Sequence, residues 1–361
     1  MKYLYALLFC LSFLNANAQN LGAFKDRNDY FVVFDEGQLV KLEYQLVSLF
    51  YVKNKCVPYI DPRGNFMIYW NKEKERVSPQ VDNINATDNL VVFAAGPILK
   101  VWEGGKVTLL TMNAGRYLAS DSLVIYEQTL DNSIHVYYNQ QKKEVDRGVF
   151  GTVVEEGAIG YNTLVYQNRV KQYNLIHKGR QFPLFTWQDK VDFACGQDVV
   201  AYNDPVQNVF MVYDNEEFIE VEPLPALSMQ AGRDFVVYED ANSNLKMYKD
   251  GRILEDLSSY SPDWYKVKDS MVVFAENNVF KIYDGKSVVT LENFIPDHYS
   301  FDNKSIAWRN NNGGVDAYID GKKITLTNEW AKDFYVNGNT VVMELPNKKF
   351  KIYWKGKFFE S

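Results

Sequence analysis

The chain has 361 residues, 47% hydrophobic, 15% aromatic and 24% charged, with a formal net charge of −7 at pH 7. That balance supports a sizeable buried core and excludes a disordered chain. No basic stripe stands out, which argues against nucleic acid or anionic lipid as a partner.

Met1-Lys2 is followed by an apolar run from about Leu4 to Leu14 and then by Ala16-Asn17-Ala18. This is the order of a secretory signal, with cleavage expected before Gln19. The expectation is a signal peptide over 1–18, a single repeat domain over 19–361, and export to the periplasm or the extracellular space. The apolar run falls short of the roughly 20 residues that span a bilayer, so no membrane insertion is expected. Losing Lys2 moves the formal charge from −7 to −8. Two cysteines remain, Cys56 and Cys195, in units far apart, so both are expected as free thiols rather than as a disulfide framework.

Apolar runs begin near Phe31, Val57, Leu90, Leu123, Leu164, Val199, Phe235, Met271, Ser305 and Thr340. From Val199 onward the intervals are 36, 36, 34 and 35 residues. A fixed period of this length marks a repeat architecture. Each unit reads as strands: Leu245-Lys246-Met247-Tyr248, Phe280-Lys281-Ile282-Tyr283 and Phe350-Lys351-Ile352-Tyr353 alternate with a period near two. Asp250-Gly251, Asp284-Gly285 and Asp320-Gly321 read as hairpin turns, which favour residues that accept positive φ. Runs such as Phe235-Val236-Val237-Tyr238 are apolar on both faces and need cover on both sides. A sheet of about 35 residues is too small to stand alone, so the units must stack. Radial stacking gives an all-β propeller of about ten four-stranded repeats; linear stacking into a β-solenoid is the rival, which would favour shorter repeats and a flat parallel ladder over Asp-Gly hairpins.

Tyr299-Ser300-Phe301-Asp302-Asn303-Lys304-Ser305-Ile306-Ala307-Trp308, followed by Ala317-Tyr318-Ile319-Asp320-Gly321-Lys322-Lys323-Ile324-Thr325-Leu326-Thr327, resembles the repeat of TolB-like, or WD40-like, propellers. The resemblance implies the propeller fold and covers most of the last five units. The turn that is usually Ser-Pro-Asp-Gly in that family is replaced by Lys268-Asp269-Ser270, Asp302-Asn303-Lys304 and Asn337-Gly338-Asn339. Relatives of this type occur in periplasmic complexes and beside separate peptidase domains, for which this chain has no room.

Few residues point to chemistry. His135, His177 and His298 sit at unrelated repeat positions, with no metal-ligand spacing, and neither a nucleophile elbow nor a phosphate loop is present. No metal site, cofactor or catalytic residue is therefore expected. Asp240-Ala241-Asn242-Ser243-Asn244 begins like a calcium loop but lacks its later ligands, and reads as a solvated turn. Tyr213, Tyr248, Tyr283, Tyr318 and Tyr353, each 35 residues after the last, read as packing between blades. Asp88, Asp121, Asp198, Asp234 and Asp269 read as turn residues. Links between units bring Asp263-Trp264, Asp297-His298 and Asp333-Phe334 to one rim, the expected ligand-binding face. Acids beside aromatic faces suit a carbohydrate or protein ligand. The expectation is a non-enzymatic binding platform. Its rivals are a glycan hydrolase or lyase using paired carboxylates such as Asp263 and Asp297, and a structural subunit of an envelope assembly.

Overall fold

The computed structural model describes residues 20–148, 158–254, 257–258 and 260–361. The signal peptide expected over 1–18 lies outside them. Described strands fall into ten antiparallel sheets, numbered here as blades 1 to 10 in chain order. Blade 9 is representative: its first strand is Tyr299–Asp302, its second Ser305–Arg309, its third Val315–Ile319 and its fourth Lys322–Thr327. Blades 3, 4 and 6 to 10 have all four strands, whereas blades 1, 2 and 5 have three among the described residues. In blade 2 the inner position is taken by irregular backbone, where the Tyr51 and Lys53 amides donate to the Pro58 and Cys56 carbonyls.

One expected position shifts by a strand. Phe31–Asp35 is not a second strand but the third strand of blade 1, and the second is Gly22–Lys25. Pairing of Gly22 with Phe34 matches that of Val272 with Tyr283 and fixes the register. Phe31–Asp35 reads like a second strand because blades 10 and 2 bury its two faces. On the edge of Gly22–Lys25 left without a strand partner, the Tyr335 hydroxyl of blade 10 receives the Ala23 amide at 2.7 Å and donates to the Ala23 carbonyl at 2.9 Å. That single side chain occupies groups an inner strand would pair.

Side chains alternate across each strand, so both faces of every blade meet a neighbour. In blade 9, Ile306 and Trp308 pack toward blade 8, while Ala307 and Val315 pack toward blade 10. Every junction between successive blades is an apolar cluster of this kind. Phe24, Val32 and Phe34 meet Val342, Phe350 and Ile352 to join blade 10 to blade 1 and close the ring.

The recurring tyrosine lies near the end of the third strand, and its hydroxyl reaches the preceding blade. Tyr69 donates to Asp35, Tyr137 to Glu103, Tyr248 to Asp214 and Tyr318 to Asp284, at 2.7–2.9 Å. Tyr213 instead meets His177 Nδ1 at 2.9 Å. Each of these five rings fills a seam and satisfies its one polar atom, and Tyr283 and Tyr353 pack into their seams as well, which bears out packing between blades. Asp250-Gly251 and Asp320-Gly321 adopt positive φ at both residues, as tight hairpins require. Only Gly285 does so in the third pair, where Asp284 accepts the Lys286 and Ser287 amides in a longer turn.

Antiparallel order sorts the connections onto two ends of the ring. Turns joining first to second and third to fourth strands lie at one, the tight-turn end. Hairpins joining second to third strands, and the links between blades, lie at the other, the loop end.

Candidate functional site: two unequal channel mouths

Inner strands line a central channel, and its tight-turn end is where the repeat breaks down. Three residues before the register point shared by all second strands stand Asn54, Asp88, Asp121, Tyr161, Gln197, Arg233, Asp269, Asn303 and Gly338, in blades 2 to 10. One structural position carries acids, a base, amides, a phenol and a glycine. Packing would keep such a position uniform, so its variety points to a specific arrangement.

That arrangement is an ionic plug. The Tyr161 hydroxyl, from blade 5, donates to Asp269 Oδ1 of blade 8 at 2.7 Å and accepts the Asp269 amide at 3.0 Å. Arg233 of blade 7 donates to the same oxygen at 3.1 Å, and its guanidinium lies 5.3 Å from the Tyr161 ring centre. Beside them Lys268 Nζ meets Asp302 Oδ1 at 2.6 Å, while Asp302 Oδ2 accepts the Gly338 amide at 2.7 Å. Asp88 is held by the Asn54 side chain at 2.9 Å, and Asp121 accepts the Asp88 amide at 2.9 Å.

Glycines make the reach from blade 5 to blade 8 possible. A Cβ on Gly160 would lie 2.3 Å from the Cys195 carbonyl oxygen, and one on Gly196 would lie 2.3 Å from that of Gly232. One on Gly232 would lie 2.6 Å from that of Asp269. Backbone therefore packs on backbone from blade 5 to blade 8, and the Gln197 and Arg233 amides donate to the Arg233 and Asp269 carbonyls. Drawn together in this way, the turns bring Tyr161 within reach of Asp269.

The plug separates its carboxyls electrostatically. Burial raises Asp88, with the Asp121 charge adding to it, and burial likewise raises Asp121. Burial also pushes Asp269 upward, but the Tyr161 hydroxyl and the Arg233 and Lys268 charges together hold it below the usual carboxylate range. Burial and the adjacent Asp269 raise Tyr161, which stays a neutral donor.

Between the ends the channel narrows at Ile159, Cys195, Ala231 and Val267, which line both a cavity of about 370 Å³ at the plug and one of about 810 Å³ at the loop end. The larger opens between blades 5 and 8, past Trp187, Asn203, Pro205, Pro225, Leu227 and Gln230. Cys195 is a free, buried thiol, as is Cys56, and burial pushes both up to about 12. Neither is a nucleophile at neutral pH.

The rim residues singled out in the sequence are distributed unevenly. Asp263, Asp297 and Asp333 are exposed at the loop end, at the starts of the first strands of blades 8, 9 and 10. Asp263 accepts the Asn278 amide at 3.0 Å, Asp297 pairs with Arg309 at 3.2 Å, and Asp333 meets His298 at 3.2 Å. Trp264 is half-buried and stacks on Tyr299 with ring centres 5.5 Å apart. His298 packs edge-on against Phe334 at 4.4 Å. Phe334 departs from its expected place at the surface: at 3% exposure it belongs to the seam between blades 9 and 10. As the second residue of its strand it points between blades, not out of the rim.

Aspartates read from the sequence as one series occupy two positions. Asp88, Asp121 and Asp269 face the channel. Asp198, one residue later, binds His177 and Lys178 at 2.8 and 2.7 Å, and Asp234 lies near Lys249. The calcium-like segment is the hairpin between the second and third strands of blade 7. Its Asp240 carboxylate accepts the Asn242 and Asn244 amides and pairs with Lys246. Among the described residues no group of three or more His, Cys, Asp and Glu side chains is placed to hold a metal.

Residues 15–359 match the model of the 10-bladed beta propeller domain. The chain belongs to this family. Ten sheets closing through blade 10 on blade 1 agree with it, as does the propeller resemblance seen in the repeat. No curated protein sequence matches the chain. Similar solved structures include the computationally designed Ika8 protein, at 16% identity over 73% of this chain and 93% of that one, with a TM-score of 0.33. Kluyveromyces lactis Hsv2p is 12% identical over 68% of this chain and 97% of its own, with a TM-score of 0.34. The CRINKLY WD40 ectodomain of the Arabidopsis thaliana receptor kinase ACR4 is 8% identical over 65% and 92%, with a TM-score of 0.32.

The variable ring of the plug was legible in the sequence only as the turn where the TolB-like pattern fails. No local signal tied Tyr161 to Asp269, 108 residues away.

Proposed function

We propose that the protein is an exported, non-enzymatic binding platform whose protein or glycan ligand enters at the loop end of the channel. The observation that supports this best is the inequality of the two mouths. Polar groups at the tight-turn end satisfy one another, while the loop end opens into a cavity of about 810 Å³. Cavities of this size that carry a few polar groups are the usual form of a ligand site. Asp263, Trp264, Asp297, His298 and Asp333 border the same end, and Phe334 supports them from beneath.

A second reading, a glycan hydrolase or lyase, rests on the plug carboxyls rather than on Asp263 and Asp297. Raised Asp88 and Asp121 beside lowered Asp269 are the kind of split an acid–base pair needs. Against it, each of these carboxyls already has a protein partner.

One experiment separates the two. The purified chain, Ala231→Trp, which fills the channel waist, and Asp121→Asn are tested on a glycan array, on envelope extracts, and on a panel of polysaccharides for cleavage. Binding without cleavage, lost in Ala231→Trp and kept in Asp121→Asn, is the expected result. Cleavage abolished by Asp121→Asn would replace the platform with the enzyme. Export is tested by sequencing the N-terminus of the secreted chain, which should begin at Gln19.

A further inference from the structure

Large apolar side chains at the surface are distributed one-sidedly. Among the described residues, each one more than half exposed lies at the loop end. Tyr44, Leu46, Met112, Tyr260 and Trp330 are in links between blades, and Leu130 and Val170 are in hairpins of blades 4 and 5. Val206 at 65%, Leu224 at 54% and Leu227 at 60% come from one hairpin and one link, and they flank the larger cavity, whose lining includes Pro205, Pro225 and Leu227. Tight two-residue turns need polar residues or glycine, which explains their absence at the other end. It does not explain leucine and valine at the tips of long links, which are ordinarily polar. Single exposed apolar residues are normal, but several around one opening mark an interaction site.

Resting on the platform reading above, we infer that the loop end around Val206, Leu224 and Leu227 docks a protein partner whose own apolar patch is bordered by basic side chains, with one apolar anchor of that partner entering the channel. Two observations select this partner. Val206, Leu224 and Leu227, the most exposed side chains beside the opening, are aliphatic and offer a sugar neither a stacking face nor a hydrogen bond, and the polar and aromatic lining of Trp187, Asn203 and Gln230 lies deeper. Tyr44, Tyr260 and Trp330 stand on separate blades. The same end is also acidic. Exposed Asp82, Asp131, Asp189, Asp192, Asp263 and Asp297 contribute to an excess of exposed acids over bases. Of the exposed bases there, Lys332 and Lys348 are paired with a carboxylate, Lys190 pairs with Asp192 itself, and Arg27, Arg63 and Arg169 stand on blades 1, 2 and 5, away from the larger cavity. An anionic membrane would be repelled, whereas Lys and Arg at the edge of a protein patch would be attracted.

The test uses the full chain in its natural cell, with a photo-crosslinking residue at position 227 or, as control, at 321 on the tight-turn end. The expected product is one protease-sensitive adduct of a second polypeptide from 227 and none from 321. That polypeptide, once identified and purified, should bind the wild-type chain more weakly as salt rises. It should bind Leu224→Glu/Leu227→Glu at least tenfold more weakly, with the melting temperature of the variant unchanged. Both side chains are exposed, so folding should survive. A lipid or glycan adduct, an adduct with a second copy of this chain, equal labelling from 321, or no adduct would overturn the inference. Binding that survives the double variant but is lost in Ala231→Trp would overturn this docking face and leave the platform reading intact. Loss of neither would overturn both.

Discussion

Tyr161 and Asp269 concentrate what is specific to this chain, and their titration gives a signed test. Asp269 has a folded pKa below its unfolded value, so its stabilisation is full above the unfolded value of about 3.9 and is lost as pH falls from there through the lower folded value. Tyr161→Phe removes a donor from a buried carboxylate and should cost about 1–3 kcal/mol at pH 7 by denaturant titration. The cost should shrink as pH falls below about 4. Asp121 runs the other way. Burial raises its pKa, so ionising it in the folded state is unfavourable, and that cost develops as pH rises through the unfolded value. Asp121→Asn, which keeps an oxygen for the Asp88 amide, should therefore raise the melting temperature at pH 7 and leave it unchanged at pH 3. A lower melting temperature at pH 7 would show that the carboxylate is compensated by charges around it. Phe334→Ala should cost about 3–5 kcal/mol, as for a large core residue, rather than acting on ligand binding alone.

At the scale of the strand, alternation was the most legible signal, because a strand held between two blades must be apolar on both faces. Met271–Glu276 and Phe235–Glu239 are such strands, and the sequence shows them directly. Phe31–Asp35 misled for the same reason: a third strand between two blades looks like a second one, and only pairing to Gly22–Lys25 fixes its rank. Tyrosines spaced by 35 residues were legible as packing, but the hydroxyl bonds of Tyr213, Tyr248 and Tyr318 to the preceding blade required the third dimension. Tyr248→Ala, Tyr283→Ala and Tyr318→Ala should each cost about 3–5 kcal/mol. Tyr318→Phe, which loses only the bond to Asp284, should cost about 1 kcal/mol. Equal losses for Phe and Ala at position 318 would mean that the seam depends on the hydroxyl rather than the ring. Links between blades were legible as loops meeting on one rim, yet the side chain that enters the seam could not be told from the one that faces solvent. Phe334 and Asp333 are adjacent and do opposite things.

For the whole molecule, ten seams rather than one central core hold the ring, so both closure and asymmetry depend on local fit. Gly196 has no positive φ to account for it; the close approach of the Gly232 carbonyl, with the Val199 side chain beside it, does. Gly196→Ala should therefore lower the melting temperature and loosen the plug, whereas Gly251→Ala, with open space around it, should show only the strain of its turn. The propeller itself was readable from the period, but the difference between its ends was not, because cross-channel contacts join residues that no repeat relates. That difference is the central claim: one mouth lined by polar groups that pair with one another, the other open to a partner. Amide hydrogen exchange of the chain alone and saturated with the protein captured at position 227 tests it most directly. The account predicts added protection in links 187–192 and 223–228 and in hairpin 204–208, with the turns at Asp88, Asp121 and Asp269 unchanged. Protection confined to those three turns would contradict it.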